Sequence, residues 1–305
     1  MYPSYAVAMP NKLSVEQAYV YCQNIANEHY ENFPTASLLL KKALRPAVAV
    51  IYAFARAADD FADEGNFSQE ERLKMLDDWE YQLDLCLLDK SDNPVFIALA
   101  DVMMKHELDV QLFRDLLTAF RMDVKFKGFV SLADLMFYCK HSANPVGRLM
   151  LALHNIDENK ALHASDAICS ALQLTNFWQD FSEDIPNKRC YLADEWLNPF
   201  SISREDVLSG KADIEQLRPA IDKAIGETEA LFDQGYALLP YLPFRLRVQI
   251  AATLAGGTTI LRATKQLSDP LKQRPTLNKL DWLKVSLKIA KMTLRPNFYA
   301  QRGKA

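Results

Sequence analysis

The stretch AVAVIYAFARAADDFADEG, residues 47 to 65, is apolar and rich in alanine until its last third, where DDFADE (59 to 64) packs four carboxylates into six positions. Its composition predicts a helix from Leu44 to Glu64, broken at Gly65-Asn66. Residues four apart share a helix face, so Asp59 sits above Asp63 and Asp60 above Glu64. Like charges crowded in this way destabilise a helix unless they face water or hold a cation.

The same periodicity extends outward along the chain. Ser14 and Gln17 stand in capping-box positions for a helix over 14–32, which Phe33-Pro34 ends. Ser68 opens a polar amphipathic helix to about Leu88, Asn93-Pro94 starts the next, and Asp109 to Lys127 continues the pattern to Gly128. Leu132 to His141 leads into SANPVGR, where Asn144-Pro145 must disturb any helix. Ala161 to Asp184 reads as the most continuous helix of the chain, stopped by Pro186-Asn187. Three more helices fill 214–295, separated near Pro240–Pro243 and Pro270–Pro275. No repeat, low-complexity linker or composition shift marks a boundary. The expectation is an all-α chain forming one domain over residues 1–305.

Half of the 305 residues are hydrophobic, enough to bury a large core. A net charge of −4 gives no electrostatic reason to expect nucleic acid as a partner and favours a small-molecule substrate. Five scattered cysteines without a CxxC pair fit a reduced compartment. The N-terminus lacks the pattern of a signal peptide, and the longest apolar stretch, Val248 to Leu261, is interrupted and too short to cross a bilayer. A cytoplasmic protein is expected.

A second acidic segment gives the first its meaning. In QLTNFWQDFSED, residues 173 to 184, Asp180 and Asp184 lie one turn apart with Glu183 beside them, and Gln173 and Asn176 precede them on the same side. Two such helices facing each other would make an acidic mouth of hard oxygen ligands suited to Mg²⁺, which shares itself with substrate phosphates. A diphosphate held through Mg²⁺ can leave as an anion, and the cation left behind needs an apolar, aromatic cavity. Arg56 and Tyr52, one and two turns before Asp60, and Lys188-Arg189 with Tyr191 after the second cluster, are the groups expected to complete a diphosphate site. Arg56 pairing only with Asp60 is the simpler alternative.

YAFARAADDFADE (52 to 64), YCKHSANPVGR (138 to 148) and QLTNFWQDFSEDIPNKRCYL (173 to 192) resemble the squalene and phytoene synthases, and the resemblance runs from about His29 to Arg262. It implies a single-domain isoprenoid synthase helical bundle with a central active-site cavity, a Mg²⁺ cofactor and a prenyl diphosphate substrate, farnesyl or presqualene diphosphate. By position, Asp59, Asp60 and Asp63 resemble that family's first metal motif, and Asn176, Asp180 and Asp184 its second. Tyr52, Arg56, Gln173 and Arg189 match diphosphate-flanking positions, Tyr138 a tyrosine lining the cavity, and Ser142, Ala143 and Gly147 the segment where a helix breaks beside the substrate.

Departures from the family pattern point to one branch. Gln179 stands in place of a usual Arg, Asn144-Pro145 in place of small residues, and Ala193 in place of a usual Pro. The Ala193 change reads as a variation in a surface loop, whereas HYENFP (29 to 34), NPVGR (144 to 148) and NFWQD (176 to 180) together resemble the bacterial hydroxysqualene synthases, which the resemblance implies convert presqualene diphosphate by water capture in squalene and hopanoid formation. The neutral amides of Asn144 and Gln179 are then candidates for holding that water. The alternatives are a synthase making presqualene diphosphate, squalene or a carotenoid precursor, and a helical assembly protein without chemistry, which would be expected to lose its metal ligands. The segment KLDWLKVSLKIAKMTLR (279 to 295) sets Leu280, Leu283, Leu287, Ala290 and Leu294 on one face and basic residues on another. It admits two readings, docking on an anionic membrane or a peripheral helix with its apolar face on the core.

Overall fold

The computed structural model describes residues 13–28 and 40–301. Every regular element among them is helical. The expected helix end at Phe33-Pro34 and the HYENFP segment lie outside the described residues. Tertiary contacts divide the chain into two compact units, one holding the residues up to Phe126 with Arg148–Asn155, the other Lys127–Gly147 with the residues from Ile156 onward. The division cuts across the chain order, so no linker accompanies it.

In the first unit, α1 (Val15–Glu28) starts on the expected box, with Ser14 and Gln17 bonded reciprocally. The helix that carries the first acidic segment, α2 (Arg45–Asp63), begins with Pro46 in its first turn. It stops before Gly65, whose φ of +74° an L side chain would strain. Around it pack α1, α3 (Gln69–Leu87), α4 (Pro94–His106) and α5 (Val110–Val124). Its alanines let these neighbours approach, while Phe54 fills the centre, edge-on to Phe113 at 5.2 Å and Phe96 at 5.9 Å. Phe61 sits edge-on to Trp79 at 5.4 Å. These two buried rings fix the rotation of α2 about its axis, and that rotation turns Asp59 and Asp63 away from the core.

The second unit opens with α6 (Leu132–Ser142), which ends at Ala143; α7 (Asn144–Ala152), whose residues from Arg148 onward belong to the first unit, begins at once, because Pro145 has no N–H to continue the ladder. The hub is α8 (Asn159–Gln179), against which α6, α12 and α13 pack. The expected continuous helix to Asp184 is interrupted: Asp180, at φ −103° and ψ 13°, caps α8, and a single turn, α9 (Phe181–Asp184), follows. Short helices α10 (Asp194–Leu197) and α11 (Arg204–Leu208) lead to α12 (Ile214–Gly235), α13 (Phe244–Gln266), α14 (Lys279–Leu294) and α15 (Pro296–Ala300). Trp178 is buried on α8 and donates its indole N–H to Thr228 Oγ1 of α12 at 2.8 Å. No described helix is long and apolar enough to cross a membrane.

On α14 the structure excludes one of the two readings of 279–295. Val285, Met292 and Thr293 are its buried residues, whereas Leu280, Leu283, Leu287 and Leu294 remain exposed. The leucine face is therefore not the face that packs on the core.

Candidate active site

The first acidic segment is organised by one arginine. Arg56 lies one turn below the cluster, and its Nη1 is 3.3 Å from Asp59 Oδ2, while Nη2 is 2.5 Å from Asp60 Oδ1 and 2.6 Å from Glu64 Oε1. The simple pair with Asp60 thus exists as part of a three-carboxylate clamp. Asp60 is buried, Asp59 half-buried and Asp63 exposed. Partial withdrawal from water pushes the Asp59 carboxyl up to about 6; Arg56 pulls the other way, and Asp63, Asp60 and Glu64 add to the rise. Tyr52 is half-buried one turn before Arg56.

The second segment has the same pattern. The cap at Asp180 keeps the two aspartates one turn apart, since Asp184 N–H donates to the Asp180 carbonyl at 2.8 Å. Burial first, then the charges of Asp180 and Glu183, raise Asp184 to about 6, opposed by Arg189 and Arg274. Arg189 is brought back by the turn through Lys188 at φ +61°, and its N–H donates to the Asp184 carbonyl at 2.9 Å. Asn176, exposed, and Gln173, half-buried, sit four and seven residues before Asp180, on the same side of α8. Gln179 is the half-buried last residue of that helix.

Arg274 is a functional candidate the sequence did not offer. It reaches back from the proline-flanked loop before α14, placing Nη2 2.8 Å from Asp180 Oδ1 and Nη1 2.8 Å from Glu183 Oε1. Nothing in a loop arginine ninety residues downstream signals this contact. Among the described residues no three Asp, Glu, His or Cys side chains gather closely enough to hold a metal ion; Asp59, Asp60 and Glu64 are turned onto Arg56, and Asp180 and Glu183 onto Arg274.

Tyr138 and Tyr191 meet through a residue between them. Phe177, on the α8 turn before Asp180, stacks on Tyr191 with centroids 3.8 Å apart and planes 9° apart, and lies 5.9 Å from Tyr138. Phe129 closes the group, 5.6 Å from Tyr138. Phe129 and Phe177 were not singled out in the sequence because an aromatic at helical spacing is ordinarily core.

Asn144 occupies a different place from that of a water-holding amide. It is 8% exposed, and its terminal amide meets the main-chain carbonyls of Asp166 and Cys139, which only accept. The atom facing them is therefore Nδ2, whose two hydrogens are shared among Asp166 O at 3.0 Å, Ser170 Oγ at 3.0 Å and Cys139 O at 3.3 Å. The amide thus ties the end of α6 to α8 across the helix break. Gly147 makes that approach possible: a Cβ there would lie 2.5 Å from Cys169 Sγ and 2.6 Å from Ser165 Oγ.

Comparison with known proteins adds an independent line. The squalene/phytoene synthase family model matches residues 26–281. A hydroxysqualene synthase of Sinorhizobium fredii is 31% identical over 256 residues, 83% of this chain and 85% of that protein. A 15-cis-phytoene synthase of Synechococcus elongatus is 28% identical, over 93% of this chain and 96% of its own. Among solved structures, a squalene synthase HpnC from Alicyclobacillus acidocaldarius superposes with a TM-score of 0.77 at 32% identity, covering 84% of this chain and 96% of that one.

Proposed function

From the premise that the chain belongs to the squalene/phytoene synthase family, and so to the prenyltransferase-type enzymes of isoprenoid biosynthesis, we propose that it converts presqualene diphosphate and water to hydroxysqualene and diphosphate, in squalene and hopanoid formation. The observation that carries this reading is similarity to a hydroxysqualene synthase over five-sixths of the chain, in a sequence that keeps both acidic motifs whole.

Mg²⁺ is the cofactor in this reading. Both donor sets are hard carboxylate oxygens, and crowding with burial holds one member of each, Asp59 and Asp184, at about 6. A divalent cation relieves that crowding. Asp59 and Asp63 in the first unit, and Asn176, Asp180 and Asp184 in the second, are the groups that would hold Mg²⁺, which when bound supplies neutralising charge to the diphosphate and its departure. The chain's own residues do the rest. In the first unit Arg56 and Tyr52, and in the second Arg189, Gln173 and Tyr191, offer hydrogen-bond donors to diphosphate oxygens, the arginines through charge-assisted bonds. Tyr138, with Phe129 and Phe177, presents aromatic faces to the substrate cation. Gln179 is the amide left to orient water, and Asn144 acts by fixing the helix break.

The second reading is the joining of two farnesyl diphosphates to presqualene diphosphate, squalene or a carotenoid precursor, favoured by the match to a phytoene synthase along 93% of the chain. A cytoplasmic enzyme touching a lipid surface suits either, since substrate and product are hydrocarbon-rich. The test is mass spectrometry of products from each diphosphate with Mg²⁺ in ¹⁸O-labelled water. Singly labelled hydroxysqualene from presqualene diphosphate without NADPH is expected. Squalene formed only with NADPH, and no labelled alcohol, would overturn the proposal.

A further inference from the structure

The outward face of α14 carries chemistry that neither acidic motif uses. We infer that α14 lies in the headgroup layer of an anionic phospholipid membrane, its leucine stripe inserted and its basic flank on lipid phosphates. The inference is independent of which diphosphate the enzyme consumes.

A helix advances 100° per residue, so Leu280, Leu283, Leu287 and Leu294 fall within about 60° of one another. Val285 and Met292, which face the core, lie on the opposite side. The helix is apolar on two faces, and only one is covered. The four leucines are between 55% and 75% exposed; Leu280, Leu283 and Leu287 follow turn by turn, and exposed Ala290 bridges the turn before Leu294 to complete an apolar strip. Phe298, on the following α15, is exposed as well.

Charge decides the kind of partner. The segment 279–295 holds Lys279, Lys284, Lys288, Lys291 and Arg295 against one acid, Asp281, in a chain whose net charge is −4. Lys284, Lys291 and Arg295 line one edge of the stripe and Lys279 the other. The centre of a protein–protein interface is depleted in lysine, whereas an interfacial helix places Lys and Arg beside its apolar face. On the basic edge, between α13 and α14, a cavity of about 580 Å³ is lined by Arg262, Lys284 and Lys288 with one acid, Asp281. Its three cations against one carboxylate suit the phosphate of a headgroup.

The experiment is co-sedimentation of the full chain with vesicles of phosphatidylcholine alone or containing phosphatidylglycerol, at low and high salt. Binding should need the anionic lipid and weaken with salt. Leu283→Ser with Leu287→Ser should weaken it at least tenfold, and each of Lys284→Gln and Lys291→Gln about fivefold. These side chains are exposed, so circular dichroism and turnover of detergent-dispersed substrate should match the wild type. Loss of turnover with binding intact would count against the proposed reaction and leave this inference standing. Equal binding to neutral and anionic vesicles, no binding, or a dimer in sedimentation equilibrium that the leucine double variant dissolves would overturn it.

Discussion

Replacing Asn144 by Ala separates two roles for this amide. If Nδ2 ties α6 to α8, the variant loses the two N–H donations shared among the Asp166 and Cys139 carbonyls and Ser170 Oγ, at 3.0, 3.3 and 3.0 Å. Both carbonyls keep a helical partner, so the loss is the net worth of each bond, about 1 kcal/mol. With the small cavity left behind, the total is about 3 kcal/mol. Asn144→Asp should be worse at neutral pH, because a carboxylate would face two acceptors. That carboxyl would have its folded pKa raised above the unfolded value near 4. The variant's stability is then fully present below pH 4 and lost as pH rises through the folded pKa. Urea denaturation, followed by tryptophan fluorescence at pH 5 and 7.5, measures both effects. Wild-type stability in Asn144→Ala together with a changed product ratio would refute this reasoning and return the amide to the water-holding role.

Three further outcomes follow from the site. Asp59 and Asp184 are each raised to about 6, so the metal-free protein gains stability as pH falls from 7 towards 4; Asp59→Asn and Asp184→Asn should flatten that slope in urea titrations while cutting turnover by orders of magnitude. Because Mg²⁺ binds the ionised carboxylates, calorimetry at pH 6 should show proton release that varies with buffer and fades by pH 8; buffer-independent heats at pH 6 would remove both groups from the metal site. Thr228→Val strands the buried indole N–H of Trp178, now 2.8 Å from the threonine hydroxyl, and should cost about 1–3 kcal/mol, with Thr228→Ser recovering most of it.

What the sequence made legible follows the range of the forces involved. Helix starts are set within four residues, so the capping box at Ser14, the helix start at Ser68 and the breaks at Gly65 and Pro145 could be read directly. The two acidic motifs were legible for the same reason, since i,i+4 spacing fixes a shared face. Their arginine partners were legible only in part: Arg56 is local, whereas Arg274 reaches Asp180 across ninety residues. The division into two units carried no signal because Arg148–Asn155 returns to the first unit inside a continuous helix, where composition has no cause to change.

Two positions show where periodicity stops being sufficient. The pattern over 279–295 identifies a helix with an apolar stripe, but both its leucine stripe and the pair Val285 and Met292 satisfy helical spacing, and only packing on α13 decides which is covered. At Asn144 the sequence shows an amide beside a helix break, a donor and an acceptor in one group, and water is one partner it could serve. The helix end supplies the other, since Nδ2 reaches the Cys139 carbonyl in the last turn of α6, which also accepts from the Ala143 N–H at 3.1 Å. A helix end creates its own demand for donors next to the residue that causes it, so a polar residue at a break is first a candidate for satisfying the break. Gln179 does not escape the same argument, since it is the last residue of α8 before the cap at Asp180. Gln179→Ala should therefore be read by the same pair of measurements, stability and product ratio. An altered product ratio at wild-type stability would place its amide on the reacting water, and a loss of stability matching that of Asn144→Ala would assign it to the helix end.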